Sequence, residues 1–275
     1  MVEPLIVDSV TRLGPESRNA VVIGASHCGV YAAYLAARMG VRAVLLNDAG
    51  IGRDRAGVGG LIYLENLGMP AATLSHRSAR IGNGADCAAR GRVSLANEVA
   101  KALGVAPGMS TREAAGILIQ GAREWNGVLP EERESRTLLM PEDAGGPAVS
   151  ALDSVSLVLP ADRGQIVVTG SHGGLLGDRP ETASKVDVFA ALYNDADIGI
   201  DGAGITRLPA LEARGIAAGT VSAWSARIGD GRSIYEDGFI THLNDTARRF
   251  GAEIGISARR FVELMRLAGR MNRRG

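Results

Sequence analysis

The sequence predicts an α/β fold of two tandem pseudo-symmetric repeats, each a largely parallel sheet flanked by helices. Two observations carry this: an internal duplication along most of the chain and, within each copy, short apolar runs alternating with longer helix-like stretches. Asp8-Ser9-Val10 returns as Asp153-Ser154-Val155, and the apolar run ending in Ser26-His27 returns as the one ending in Ser171-His172, at one constant offset. After a two-residue insertion the match tightens. Between residues 47–84 and 194–231 more than half of the positions are identical, among them Asn-Asp-Ala and Ser-Ala-Arg-Ile-Gly. Such a copy is too long for a solenoid unit. Residues 1–125 therefore read as the first α/β repeat, 149–275 as the second, and 126–148, rich in Glu, Arg, Pro and Gly, as the linker.

Within the first copy, strands are expected over 5–10 and 20–25, a helix over 30–39 and a third strand over 42–46. The polar loop 47–55 leads into a helix marked by Leu61 and Leu64, an i, i+3 apolar pair repeated as Leu208 and Leu211. Gly68 and Gly215 end that helix. A strand over 71–74 (218–221 in the second copy), an arginine-bearing loop, a helix over about 86–103 and a last helix opening at Ser110 complete the unit. Ser110 and Ser257 read as N-caps. The short connection between the first two strands allows a hairpin with an antiparallel edge.

Composition bounds the function. Thirty basic residues balance thirty acidic ones, so no overall field gathers nucleic acid or an anionic membrane. No run approaches the roughly 20 apolar residues of a membrane span, and the amino terminus lacks the features of a signal peptide. Two cysteines, Cys28 and Cys87, give no disulfide framework and fit a cytoplasmic location. With 46% hydrophobic residues the chain can bury one large core or two ordinary ones.

The repeated polar motifs fall after strands, where the loops of a parallel sheet share one ligand-binding edge. Ser26, His27, Ser171 and His172 follow one strand, Asp48 and Asp195 the next, and Arg80 and Arg227 the fourth. Histidines so placed suit acid–base chemistry near neutral pH. His172 or His27 is expected as general base, oriented by Asp48 or Asp195. Cys28, opposite Gly173 of the other copy, becomes a nucleophile if it opens a helix, although a buried inert thiol is the commoner outcome. Gly173 and Gly174 offer backbone amides for an oxyanion, or simply a tight turn. Arg80 and Arg227 are expected to hold an anionic substrate group, against the competing reading of salt bridges to Asp48 or Asp195. Asp54 and Asp201, each just before a helix, are divided between substrate contact and capping. His76 and His242 have no counterpart and read as peripheral, and Trp224 as core or pocket wall.

The expectation is a small-molecule enzyme, a hydrolase or lyase acting on a polar, carboxylated compound. Its site lies near the two-fold axis of an ancestral homodimer and is specialised where the copies differ, at Cys28/Gly173 and the loop 175–185. The contrasting class is a non-catalytic metabolite-binding or assembly protein. A nicotinamide-dependent oxidoreductase is a minor alternative, because residues 24–29 follow a strand and precede a helix but place Ser26 where a dinucleotide site wants glycine. A divalent metal is compatible with the His and Asp ligand types but no compact ligand spacing requires one. A homo-oligomer is compatible with the repeat.

Overall fold

The computed structural model describes residues 3–272. The first half runs β1 (Leu5–Val7), β2 (Val21–His27), α1 (Val30–Arg38), β3 (Ala43–Asn47), α2 (Gly60–Asn66), β4 (Ala71–Leu74), α3 (Gly84–Arg90), β5 (Val93–Ala96), α4 (Glu98–Ala102) and α5 (Thr111–Gly121). The second runs β6 (Arg136–Met140), β7 (Val149–Leu152), β8 (Ile166–His172), β9 (Ala190–Asn194), α6 (Arg207–Glu212), β10 (Ala217–Val221), α7 (Gly231–Asp237), β11 (Ile240–Leu243), α8 (Asp245–Arg249) and α9 (Ala258–Asn272). Each half forms its own sheet, five strands in the order β1-β2-β3-β4-β5 and six in the order β11-β10-β9-β8-β7-β6. The sheets are mixed and mostly parallel, flanked by helices, as the sequence predicts. No helix among the described residues is long and apolar enough to cross a membrane.

Burial on both faces explains why the central strands are apolar runs rather than alternating ones. Val21, Ile23 and Ala25 of β2 enter one core cluster with Leu118 of α5, while Val22 enters the other with Ala33 and Ala37 of α1. The second sheet repeats the plan, with Val168 packed toward Phe261 and Met265 of α9 and Val167 toward Leu208 and Leu211 of α6. Leu61, Leu64, Leu208 and Leu211 are all buried, as their spacing implies. Ser110 caps α5 in a reciprocal capping box with Glu113, an arrangement worth about 1 kcal/mol. Ser257 does the corresponding work for α9, its hydroxyl accepting from the Arg260 amide at 3.2 Å.

Four elements depart from the sequence reading. β1 pairs with β2 in parallel, not as a hairpin. The helix expected over 86–103 is instead α3, β5 and α4, because Gly91 ends α3 against the Thr111 hydroxyl and the Cys87 carbonyl and Asn97 restarts a helix as N-cap. β5 lies antiparallel on β4. The segment read as linker contributes β6, an antiparallel edge on β7. Finally, the helix expected after the second strand of each copy forms only in the first: between β8 and β9 the chain makes irregular loop and a single 3-10 turn at Pro180–Thr182.

Candidate functional site

The two halves meet through the loops after β3 and β9. The Arg53 amide donates to the Ala223 carbonyl at 2.8 Å, and its repeat counterpart Ile200 donates to the His76 carbonyl, again at 2.8 Å. These reciprocal bonds relate the halves by an approximate two-fold axis. Each loop holds non-glycine residues in the left-handed region at the same places. Ala49 and Ala196 both lie at φ 47°, Ile51 at 64° and Ile198 at 63°. A β-branched residue at positive φ is costly, of order 1–3 kcal/mol, and persists only where surrounding contacts enforce it.

Next to this junction a cavity of about 440 Å³ is lined by corresponding residues of both copies: Ser9, Val10 and Thr11 with Ser154, Val155 and Ser156, and Ser26-His27 with Ser171-His172. The serines, which with His27 and His172 close β2 and β8 from within rather than following them, are structural here. The Ser26 hydroxyl accepts from the Val10 amide at 3.1 Å and that of Ser171 from the Val155 amide at 2.9 Å, which holds the turn after the preceding strand against the cavity. Neither is hydrogen-bonded to a histidine, so neither has the base that would activate it.

The two histidines are placed alike. The Nδ1 of His27 accepts from the Gly29 amide and that of His172 from the Gly174 amide, each at 3.1 Å. Burial lowers the pKa of His27 to about 4. The pKa of His172 lies well below the usual histidine range, through burial first and then the charges of Arg207 and His27. Both rings are therefore neutral at pH 7, and with Nδ1 occupied as acceptor each carries its proton on Nε2. That geometry makes them hydrogen-bond donors at Nε2, not the general bases expected from sequence. Their expected orienting groups are engaged elsewhere. Asp48 bonds His76 Nδ1 at 2.8 Å, and Asp195 accepts the Ala223 and Asp197 amides.

Other expected site residues are likewise reassigned. Cys28 is fully buried, precedes the Gly29 cap of α1, and burial with the nearby Asp48 pushes its thiol up to about 12; burial does the same for Cys87. Neither is a nucleophile. Both should resist a thiol reagent at pH 8 in the folded protein and react fully only after denaturation; rapid native labelling of Cys28 would contradict this. The Gly173 amide donates to the Asn194 carbonyl and that of Gly174 to His172, leaving no free pair for an oxyanion. Arg80 pairs with Asp178 at 2.7 Å, and Arg227 with Asp230 at 2.9 Å and Asp54 at 3.2 Å, so both guanidinium groups are neutralised, by partners other than those expected. Asp201 pairs with Arg90 at 2.7 Å. Asp54 and Asp201 thus tie the halves together rather than capping helices. Gly24 is buried inside β2 against Leu46, Val10 and Val7, a packing position rather than a pyrophosphate contact. Trp224 is 59% exposed and lines neither this cavity nor the adjoining one.

Three groups to which the sequence reading gave no role matter. Glu134 reaches the cavity from the segment before β6, with Asp153 beside it. Burial raises both carboxyls above their usual range, and their mutual repulsion raises Glu134 further. Arg207, the first residue of α6, is 1% exposed and forms part of the wall with Lys185 and Thr182. His76, read as peripheral, bridges the halves by bonding Asp48 at 2.8 Å and Asp197 at 3.1 Å. No sequence pattern marks Glu134 or Arg207. Only the lack of a counterpart to His76, at a position facing Ala223 in the repeat, singled it out. His242 lies on β11 and lines neither cavity. Among the described residues no group of three or more His, Cys, Asp or Glu side chains is placed to hold a metal ion.

Burial alone would lower the His76 pKa, but the hydrogen bond and charge of Asp48 and then the charge of Asp197 outweigh it and raise the value above 6.5. A histidine stabilised in its charged form contributes fully below the unfolded value near 6.5 and loses the contribution as pH rises through the raised folded value. Asp48, held low by the His76 hydrogen bonds against its burial, loses its share only in strong acid. Thermal melts of wild type and His76→Gln should therefore differ more at about pH 5.5 than at about pH 9. An equal difference at both would show that His76 is neutral.

No family model, curated protein or solved structure matches the chain.

Proposed function

We propose that the chain is a small-molecule enzyme that moves a proton on a polar, carbonyl-bearing substrate in the cavity between its halves, with lyase-type chemistry favoured over hydrolysis. The observation that carries this reading is the matched pair of neutral histidines, His172 buried and His27 half-buried, whose Nδ1 atoms are both occupied by backbone amides. A neutral imidazole presenting Nε2–H polarises a carbonyl and stabilises the enolate that forms when a neighbouring C–H is deprotonated. Glu134 and Asp153 supply carboxylates for that deprotonation, their raised pKa values closer to neutrality and hence to useful basicity. Asp153 accepts the Ser135 and Gly231 amides at 2.6 and 3.1 Å, whereas Glu134 accepts the Ser156 hydroxyl at a longer 3.5 Å, which leaves Glu134 the less tightly held base. A cavity of about 440 Å³ suits a metabolite-sized ligand. Hydrolysis through a covalent intermediate finds no support, since Ser26, Ser171 and Cys28 all lack activation.

The test is hydrogen–deuterium exchange: the protein is incubated in D2O with a panel of small oxo and hydroxy acids and their amides, and C–H signals are followed by proton NMR. Enzyme-dependent loss of a C–H signal next to a carbonyl, abolished in Glu134→Gln, is the expected result. Saturable binding without exchange would favour the non-catalytic metabolite-binding reading.

A further inference from the structure

Arg207 of the cavity wall stands where the first copy has Gly60. The substitution tracks a change in architecture. A Cβ at Gly60 would meet Ala33 of α1 and the carbonyls of Cys28 and Gly29, so the first copy fills this space with a helix. The second copy has no helix there, and the Arg207 side chain occupies the gap. Its Nε donates to the His172 carbonyl, its Nη1 donates to the Thr182 and Ala183 carbonyls, and its guanidinium lies 5.3 Å from the Tyr193 ring centroid.

Those contacts satisfy hydrogen bonds but not charge. Among the described residues no carboxylate lies within 4.0 Å of Arg207, and its Nη2 makes no hydrogen bond. Nη2 is not fully sealed, unlike the buried unpartnered Nε atoms of Arg42 and Arg80, and Arg207 lines the cavity. A buried charge is retained at a cost of several kcal/mol unless an opposite charge accompanies it. Lys185, which donates to the Ser156 carbonyl at 2.6 Å, adds a second cation to the same wall.

We propose that Arg207 is the anion-binding group of the cavity and that its ligand is the carboxylate of a small monoanionic molecule. Glu134 and Asp153 share the cavity and repel a dianion, which favours a carboxylate over a phosphate. The assignment replaces Arg80 and Arg227, both neutralised by aspartates, as the source of anion recognition. It names the substrate class for the proton-transfer site and rests on that reading for its functional meaning, while the binding itself stands on the unpaired guanidinium.

Titration calorimetry on the wild-type protein with lactate, its uncharged isostere lactamide and inorganic phosphate tests it. Lactate should bind saturably in the millimolar range and at least about tenfold more tightly than lactamide or phosphate. Arg207→Met should remove the lactate preference, and Arg80→Met should keep it. Should Arg207→Met fail to fold, the wild-type comparison decides alone: equal affinity for acid and amide, no saturable lactate binding, or a preference for phosphate overturns the assignment. Charge-dependent lactate binding with no C–H exchange on any panel member would sustain the anion site and remove the proposed catalysis. Exchange that ignores the charge of the substrate would do the reverse.

Discussion

Replacing His172 or His27 by phenylalanine should lower turnover of an exchange-competent substrate by about 10²- to 10³-fold, the usual loss for one preorganised donor to a developing oxyanion. Replacement by glutamine should retain far more, within roughly tenfold of wild type, because its side-chain amide offers an N–H near the position of Nε2. The contrast follows from the Gly29 and Gly174 amides, which donate to Nδ1 and leave the ring proton on Nε2. A histidine acting as base would behave differently: glutamine cannot accept the proton, and both substitutions would then fall together by about 10²- to 10⁴-fold. Parallel pH profiles give an independent reading. With His27 titrating near 4 through burial and His172 also lowered, neither of them should give a limb between pH 5.5 and 8, and the acid limb should belong to Glu134, raised by burial and by Asp153. Equal loss in the Gln and Phe variants would refute the donor assignment, and an acid limb that survives Glu134→Gln would refute Glu134 as the base.

The parts of this picture that were legible in the sequence are those that repeat. The duplication fixed the positions of Ser26/Ser171 and His27/His172, and the structure brings all four to one cavity wall. Apolar runs of five to seven residues read as strands because both faces of the sheet are covered. Shorter elements were not separable: β5 has four residues, and between two helices such a run carries no period of its own. The assignment of roles to polar residues failed for a different reason. Asp48 and Asp195 follow strands as a ligand-binding carboxylate would, but a carboxylate there equally satisfies the loop's own amides, and the loop after β3 bends so tightly that its amides face inward. Arg207 was invisible because an arginine opening a helix is ordinarily solvated. Its burial depends on the missing helix between β8 and β9, a difference between copies that the loop 175–185 hinted at without naming the residue it exposes. Glu134 lay in a segment whose charge and Pro/Gly content read as linker, and β6 draws it against the second sheet.

Gly204→Ala should destabilise the protein by about 3 kcal/mol or more, among the larger effects a single methyl group produces. A Cβ at Gly204 would overlap the backbone carbonyl of Asp195, which no side-chain rearrangement relieves. The Gly204 amide also closes the loop by donating to the Ile198 carbonyl at 2.7 Å, so displacing the backbone would break that bond and disturb Ala196, Asp197 and Ile198, all at positive φ. The same loop carries Ile200, whose amide joins the halves, and Asp197, which holds His76 and the Trp224 indole at 3.1 Å each. Its distortion should therefore loosen the junction that shapes the cavity. A Tm loss of several degrees is expected, with weaker lactate binding in whatever fraction stays folded. Gly215→Ala, with open space around its Cβ but φ at 66°, isolates the cost of backbone strain. It should cost about 1 kcal/mol and leave ligand binding unchanged. If the two variants melt alike, the tight loop is not what holds the halves in register, and the reciprocal bonds between Arg53 and Ala223 and between Ile200 and His76 must suffice by themselves.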